Sequence, residues 1–258
     1  MSGVDSRAAI DPTAKIADDV EIGPWTLIGP DVEIGPGCKI HSHVVVKGPT
    51  RIGSGNTIYQ FSTVGEDTPD VKYKGEPTRL EIGDNNIIRE GVTIHRGTIQ
   101  DQSLTSIGDN NLIMAYVHIA HDCMVGSNTI LVNNASLAGH VRVDDWAIIS
   151  GYSLIHQYCI VGAHSYTGMA SHVIKDIPAY MMVYGQPAEV RTINQEGLRR
   201  RDFSSETISV LKKAYKILYR RGHKLDEAIE QIRELASSEP ALEPLLKSVE
   251  NSERGITR

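Results

Sequence analysis

Nothing in the 258 residues approaches the ~20 consecutive apolar positions that a bilayer-spanning helix needs, so no stable membrane insertion is expected. The opening stretch, MSGVDSRAAIDPTAKI, is polar and has no signal-peptide core, which points to a cytoplasmic protein. Excess positive charge is also missing. The formal net charge is −6, so the chain as a whole has no attraction for nucleic acid or an anionic membrane surface. Cysteine is scarce. Cys38, Cys123 and Cys159 are too few and too far apart for a disulfide or metal framework, and buried packing is their expected role.

What is present is a period. Every sixth residue from Ile10 is aliphatic: Ile10, Ile16, Ile22, Ile28, Ile34, Ile40, Val46, Ile52, Ile58 and Val64. The row resumes in phase at Ile82, Ile88 and Ile94. It restarts one position out of phase at Ile107 and runs to Val161. A second row of mostly small residues, from Ala8 to Cys159, lies two positions before the first, and all three cysteines fall on it. Six matches neither an amphipathic helix nor strand alternation. It is the hexapeptide signature of a parallel β-helix, in which three short faces make one triangular coil. Residues 18 apart should therefore stack at the inter-strand spacing of ~4.8 Å. The aliphatic row fills the axis and the smaller row the corners.

The two breaks read as loops. Residues 66–81 are polar, carry Pro69, Gly75 and Pro77, and preserve the phase, so they should leave the prism and rejoin it. Asp70 and Lys72 are the candidate ligands of this loop. Residues 95–106 form a smaller excursion, with His95 and Arg96 placed to point into a neighbouring subunit. Asparagines at face positions, such as Asn110 and Asn111, suit structural ladders. The repeat ends at residues 175–189, where Pro178 and Pro187 interrupt pairing. Residues 190–258 then read as a small helical domain capping the solenoid. Ser204 is the expected N-cap of a helix with Ile208, Leu211, Tyr215, Leu218 and Tyr219 on its apolar side. Two further helices follow, over Leu225–Leu235 and Ala241–Val249. The chain reads as residues 1–189, an all-β left-handed parallel β-helix, followed by 190–258. Arg199, Arg200, Arg201, Lys212, Lys213, Lys216, Arg220 and Arg221 concentrate positive charge in the second part, read as a docking patch for an anionic partner.

Stacking places the chemistry. Asp122 and His140 are 18 apart, and so are His121 and Gly139. A histidine beside a glycine amide suits acyl transfer. The imidazole takes a proton from an attacking hydroxyl, the N–H holds the oxyanion, and Asp122 orients the ring.

The segments GEPTRLEIG, REGVTIHRGT, HIAHDC, NNASLAGHV, HQYCIVGAH and INQEGLRRRDFS, together with the terminal RGITR, closely resemble the bacterial UDP-N-acetylglucosamine O-acyltransferases that begin lipid A synthesis. The resemblance implies a cofactor-free homotrimer with active sites between subunits. It implies transfer of a 3-hydroxyacyl group from acyl carrier protein to the sugar 3-hydroxyl of UDP-N-acetylglucosamine. His121 would then be the general base, Asp122 its support and Gly139 the oxyanion donor. His118, His140, His156 and Gln157 would line the nucleotide-sugar and acyl pocket. Asp70 and Lys72 would contact sugar and phosphate, and Asn194, Glu196, Arg200 and Arg201 would meet nucleotide and acyl donor. The basic helical face would receive the acidic carrier protein.

Two positions depart from the family pattern. Pro69 stands where some members have glutamine. Met169 stands at the floor of the acyl groove, where members with glycine accept longer chains, which implies a chain of about ten carbons here. Three other readings compete. The related N-acyltransferases carry a domain before the hexads, whereas here the hexads start at once. A trimeric γ-class carbonic anhydrase would use His118, His121 and His140 for zinc, but has no need of the long loop, the helical domain or the three arginines. A non-catalytic scaffold would tolerate loss of His121.

Overall fold

The computed structural model describes residues 3–258 and is a left-handed parallel β-helix closed at one end by helices. Its three faces are parallel sheets. Face one has nine strands, from Ala9–Ile10 to His172–Val173, and face two has eight, from Lys15–Ile16 to Ile160–Val161. Face three has ten, starting at Glu21–Ile22, and ends in an antiparallel hairpin of Met181–Gly185 with Ala188–Ile193. In plain coils the register is 18 residues: Ile10 pairs with Ile28, and Leu137 with Ile155. From Ile22 to Val161 the aliphatic row is buried along the axis, while Ile10 and Ile16, in the first coil, are half-buried. The three cysteines are free and buried, and burial pushes the Cys123 thiol up to about 12 and Cys159 up to about 11.

Tight corners need left-handed backbone, and the residues at many of them, Asp122, His140 and Tyr158 among others, sit at φ 58°, 63° and 64°. This conformation costs roughly 1–2 kcal/mol per L-residue. The backbone ladder holds it: His140 N–H donates to His121 O, and Tyr158 N–H to Gly139 O. Asparagines in the corner row add a side-chain ladder. Asn86 Nδ2 donates to Asn56 Oδ1 at 3.0 Å, and Asn111 N–H to Asn86 Oδ1 at 2.9 Å.

Both loops leave from one edge, where face one turns into face two, on consecutive coils. The first joins Thr63–Glu66 to Arg79–Ile82, and the second joins Thr93–His95 to Leu104–Ile107. They are shorter than the expected 66–81 and 95–106, because Leu80 and Thr105 stay paired in the corner row. Val64 pairs with Ile94, 30 residues on, so the first loop inserts two whole hexads and keeps the phase. Leu80 pairs with Thr105, 25 on, so the second inserts seven residues and moves the phase by one.

The expected boundary at 189/190 falls inside the last strand, which runs to Ile193. The hairpin prolongs face three by antiparallel pairing, so no hexad marks it. Helix α1, Gln195–Arg199, follows with Asn194 as N-cap, then α2, Ser205–Tyr219, with Ser204 accepting from Thr207 N–H. Helices α3, Leu225–Ala236, and α4, Glu243–Glu250, complete the cap. Ala179 N–H donates to Ser248 Oγ at 3.0 Å and the Tyr180 hydroxyl to Ala241 O at 2.8 Å, tying prism to cap.

His164 sits at this joint. Its ring stacks between Trp146 and Tyr180, meets Phe203 edge-on, and accepts from Arg201 at 3.1 Å. Burial, with the Arg201 charge beside it, lowers its pKa to about 4. The unfolded value is about 6.5, so below pH 6.5 the unfolded chain binds the extra proton. Stability from this group is complete above pH 6.5 and falls by up to about 3 kcal/mol toward pH 4. Melting temperatures at pH 7.5 and 5 should drop more in wild type than in His164→Gln. Equal drops would count against the neutral buried imidazole.

Candidate active site

The edge that emits the loops also carries the histidines. Its next three corners are residues 120–123, 138–141 and 156–159, so Ala120, Ala138 and His156 stack, as do His121, Gly139 and Gln157, and Asp122, His140 and Tyr158. In the plain coils the position two after each aliphatic residue gives its carbonyl to the coil-to-coil ladder but not its N–H. Proline therefore occupies it at Pro24, Pro30 and Pro36. At Gly139 the same position keeps its N–H, and that N–H has no acceptor among the described residues.

His121 lies against this glycine. A Cβ added to Gly139 would fall 2.6 Å from His121 Cε1 and 2.7 Å from Nε2, so only glycine admits the ring. On its other side, His121 Nδ1 is 2.8 Å from Asp122 Oδ2. Asp122 is buried and takes three bonds: from His121, from Thr98 N–H at 2.8 Å and from Thr98 Oγ1 at 2.7 Å. Burial pushes its carboxyl up, but the hydrogen bonds from His121 and Thr98 together outweigh burial and hold it below the ordinary range. A carboxylate only accepts, so Nδ1 carries the hydrogen and the His121 lone pair is on Nε2, toward Gly139. A bare ring nitrogen and a free amide hydrogen thus share one small space, the pairing that proton abstraction with oxyanion stabilisation requires.

The remaining candidates divide by edge. His140 and Gln157 stand on the same edge as His121, with His156 beside Gln157, its Nδ1 3.1 Å from the Gln157 carbonyl. His118 is one strand in, on face one. Its Nδ1 is 2.8 Å from Thr93 Oγ1, and burial, then the neighbouring His95 and His121, lowers its pKa. Asp70 and Lys72 flank the exposed Val71 at the tip of the first loop, where Lys72 N–H donates to Asp70 Oδ1. Met169 is 75% exposed and belongs to the edge between faces three and one. Asn194, Glu196, Arg200 and Arg201 follow the last strand of face three, and Asn194 and Arg201 reach the edge between faces two and three. There Asn194 caps α1 and donates to His164 O, Glu196 pairs with Arg200 at 3.1 Å, and Arg201 lies over Trp146 at 5.0 Å. One chain therefore does not bring the three groups together.

Three expectations change. Arg96 does not point away from its own chain. Its buried guanidinium binds Gly65 O, Asp67 and Tyr73 and pins the first loop, and the His95 ring is held by Asp67 O. Arg201 is drawn out of the exposed basic patch by Trp146 and His164, leaving Lys212, Lys213, Lys216 and Arg221 without acidic partners among the described residues. The three-histidine zinc site is not assembled. The ligand atoms within 4.8 Å of one another belong to His121, Asp122 and His140, without His118, and the Asp122 oxygens are already engaged. Thr98 and Asp101, which hold Asp122 and His140, lie in the second loop, where no period announces them.

Comparison with known proteins places this geometry. The family described as UDP N-acetylglucosamine O-acyltransferase, domain 2, matches residues 176–257, and the bacterial transferase hexapeptide family matches 13–48, 31–66 and 104–139. An acyl-[acyl-carrier-protein]–UDP-N-acetylglucosamine O-acyltransferase of Stutzerimonas stutzeri is 61% identical over 258 residues, covering 100% of both chains. The structure of LpxA from Acinetobacter baumannii superposes with a TM-score of 0.97 at 52% identity, over 99% of this chain and 100% of that one. An Arabidopsis UDP-N-acetylglucosamine acyltransferase gives 0.86 at 36%, over 99% and 100%.

Gly139→Ala should displace the His121 ring while leaving the coil folded, because the added methyl meets a side chain at an ordinary backbone angle. The expected cost is about 1–3 kcal/mol. Ring resonances of His121 should shift while thermal unfolding stays cooperative. An unmoved ring would contradict the close approach.

Proposed function

This chain belongs to the acyl-[acyl-carrier-protein]–UDP-N-acetylglucosamine O-acyltransferase family, and we propose that it moves a 3-hydroxyacyl group of about ten carbons to the sugar 3-hydroxyl of UDP-N-acetylglucosamine, the first step of lipid A synthesis. The observation that carries the mechanism is the His121 Nε2 lone pair beside the free Gly139 amide, with Nδ1 bound to the Asp122 carboxylate.

His121 Nε2 removes the proton of the 3-hydroxyl as its oxygen attacks the thioester carbonyl of the acyl carrier protein. The Gly139 N–H donates to the oxyanion of the tetrahedral intermediate. Collapse breaks the carbon–sulfur bond, and the imidazolium returns its proton to the departing thiolate. Asp122, low in pKa, stays ionised and stabilises the imidazolium. No protein nucleophile is required. Cys123, beside the site, is buried with its thiol pushed up to about 12 and is unsuited to that role.

A homotrimer completes the site. The acyl-floor residue Met169 and the Asn194–Arg201 group lie away from the edge that carries His121, so a second copy must supply what one chain separates. Face one and its flanking edge offer the surface for this: Leu154, Tyr116, Tyr152 and Met169 are each at least half exposed. Met169 shortens the acyl groove. Lys212, Lys213, Lys216 and Arg221 meet the acidic carrier protein.

The test is transfer from a panel of 3-hydroxyacyl carrier proteins to UDP-N-acetylglucosamine. Wild type should peak near ten carbons. His121→Ala and Asp122→Asn should each lose roughly 10²–10⁴ in kcat, the former through loss of the base and the latter through the wrong imidazole tautomer. Met169→Gly should move the peak to longer chains. Full activity in His121→Ala would end the general-base reading, and an unmoved peak would end the role of Met169.

A further inference from the structure

The His121–Asp122 pair is not the only histidine–carboxylate pair at this edge. The second loop folds back over the coils that follow it and sets Asp101 Oδ2 2.7 Å from His140 Nδ1. No other hydrogen bond to the Asp101 side chain is formed among the described residues, and the loop is held without it, by Thr98 on Asp122 and Arg96 on Gly65 O. The other neighbours of His140 fix its ring. Tyr158 stacks on it at 4.3 Å and 7°, His121 meets it edge-on at 5.0 Å and 89°, and Asp122 Oδ2 stands 4.0 Å from Nδ1. Every carboxylate near this ring therefore faces Nδ1.

We propose that Asp101 is a positioning residue: it keeps the hydrogen of His140 on Nδ1 and so presents His140 Nε2 as a hydrogen-bond acceptor for an O–H or N–H of the nucleotide sugar. The two rings, side by side, carry their lone pairs on the same nitrogen for different ends. His121 uses Nε2 to take a proton from the reacting hydroxyl, whereas His140 uses it to orient the sugar that bears that hydroxyl. The second loop then fixes both, Asp122 through Thr98 and His140 through Asp101. The kinetic part of the inference rests on the proposed function; the assignment of the ring hydrogen does not.

Asp101→Asn separates this from a merely structural loop residue. An asparagine amide can donate to Nδ1 and would move the ring hydrogen to Nε2. Long-range proton–nitrogen spectra of histidine-labelled protein at pH 8, with His140→Gln to assign the signals, read this without substrate. Wild type should show hydrogen on Nδ1 and a bare Nε2, and Asp101→Asn the reverse. With UDP-N-acetylglucosamine, Asp101→Asn should raise KM about ten-fold, the worth of one hydrogen bond, and more than it lowers kcat. Thermal melting checks that the variant is folded. A protonated Nε2 in wild type, a spectrum unmoved by Asp101→Asn, or a fall in kcat with KM unchanged would overturn the proposal. Absence of sugar acylation by wild type would sink the proposed function and leave the spectral arm standing.

Discussion

The constraint on which the molecule depends is the stacking of one coil on the next. Each short strand gains its hydrogen bonds from the strands above and below, and the axis is filled by one aliphatic side chain per hexad. No coil has an independent core, so the register of 18 cannot slip without exposing the axis. This rigidity gives positional precision. His121 and Gly139 are brought together by register alone, and the left-handed corners at Asp122 and His140 are held by the ladder. Variation is possible only where a coil can lengthen outward. Both insertions use the edge that bears the histidines, which makes it the one place where a rigid prism acquires adjustable walls.

At that edge the decisive electrostatic element is a buried carboxylate. Asp122 is costly to bury, and three hydrogen bonds offset that cost. Two come from one loop residue, Thr98, so the second loop and His121 are coupled through the Asp122 side chain. The prism sets the distance between His121 and Gly139, and the loop sets which imidazole nitrogen is free.

Much of this was legible in the sequence, for a definite reason. A period of six converts sequence separation into spatial contact, so the pairs Asp122–His140 and His121–Gly139, the buried cysteines and the β-helix itself follow by counting. Ser204 was legible because a helix start has its own local chemistry. The breaks in the period also place both loops, but not what holds them, because side-chain bonds without periodicity do that; Thr98, Asp101 and the inward turn of Arg96 carry no repeat signal. The hairpin over 181–193 was missed because it extends face three by antiparallel pairing after the hexads end. The short α1 gives no 3.6-residue pattern, and in the sequence Arg201 reads as one member of a basic docking patch, because nothing there shows that Trp146 and His164 receive it.

In the proposed mechanism the reacting hydroxyl meets His121 Nε2 beside the Gly139 amide. A crystal structure with UDP-N-acetylglucosamine bound and no acyl donor present tests it most directly. The sugar 3-hydroxyl should lie within about 2.6–3.2 Å of His121 Nε2, with the Gly139 N–H facing the space where the thioester carbonyl will sit. A sugar bound with its 3-hydroxyl turned away from His121, or seated at another edge of the prism, would contradict it.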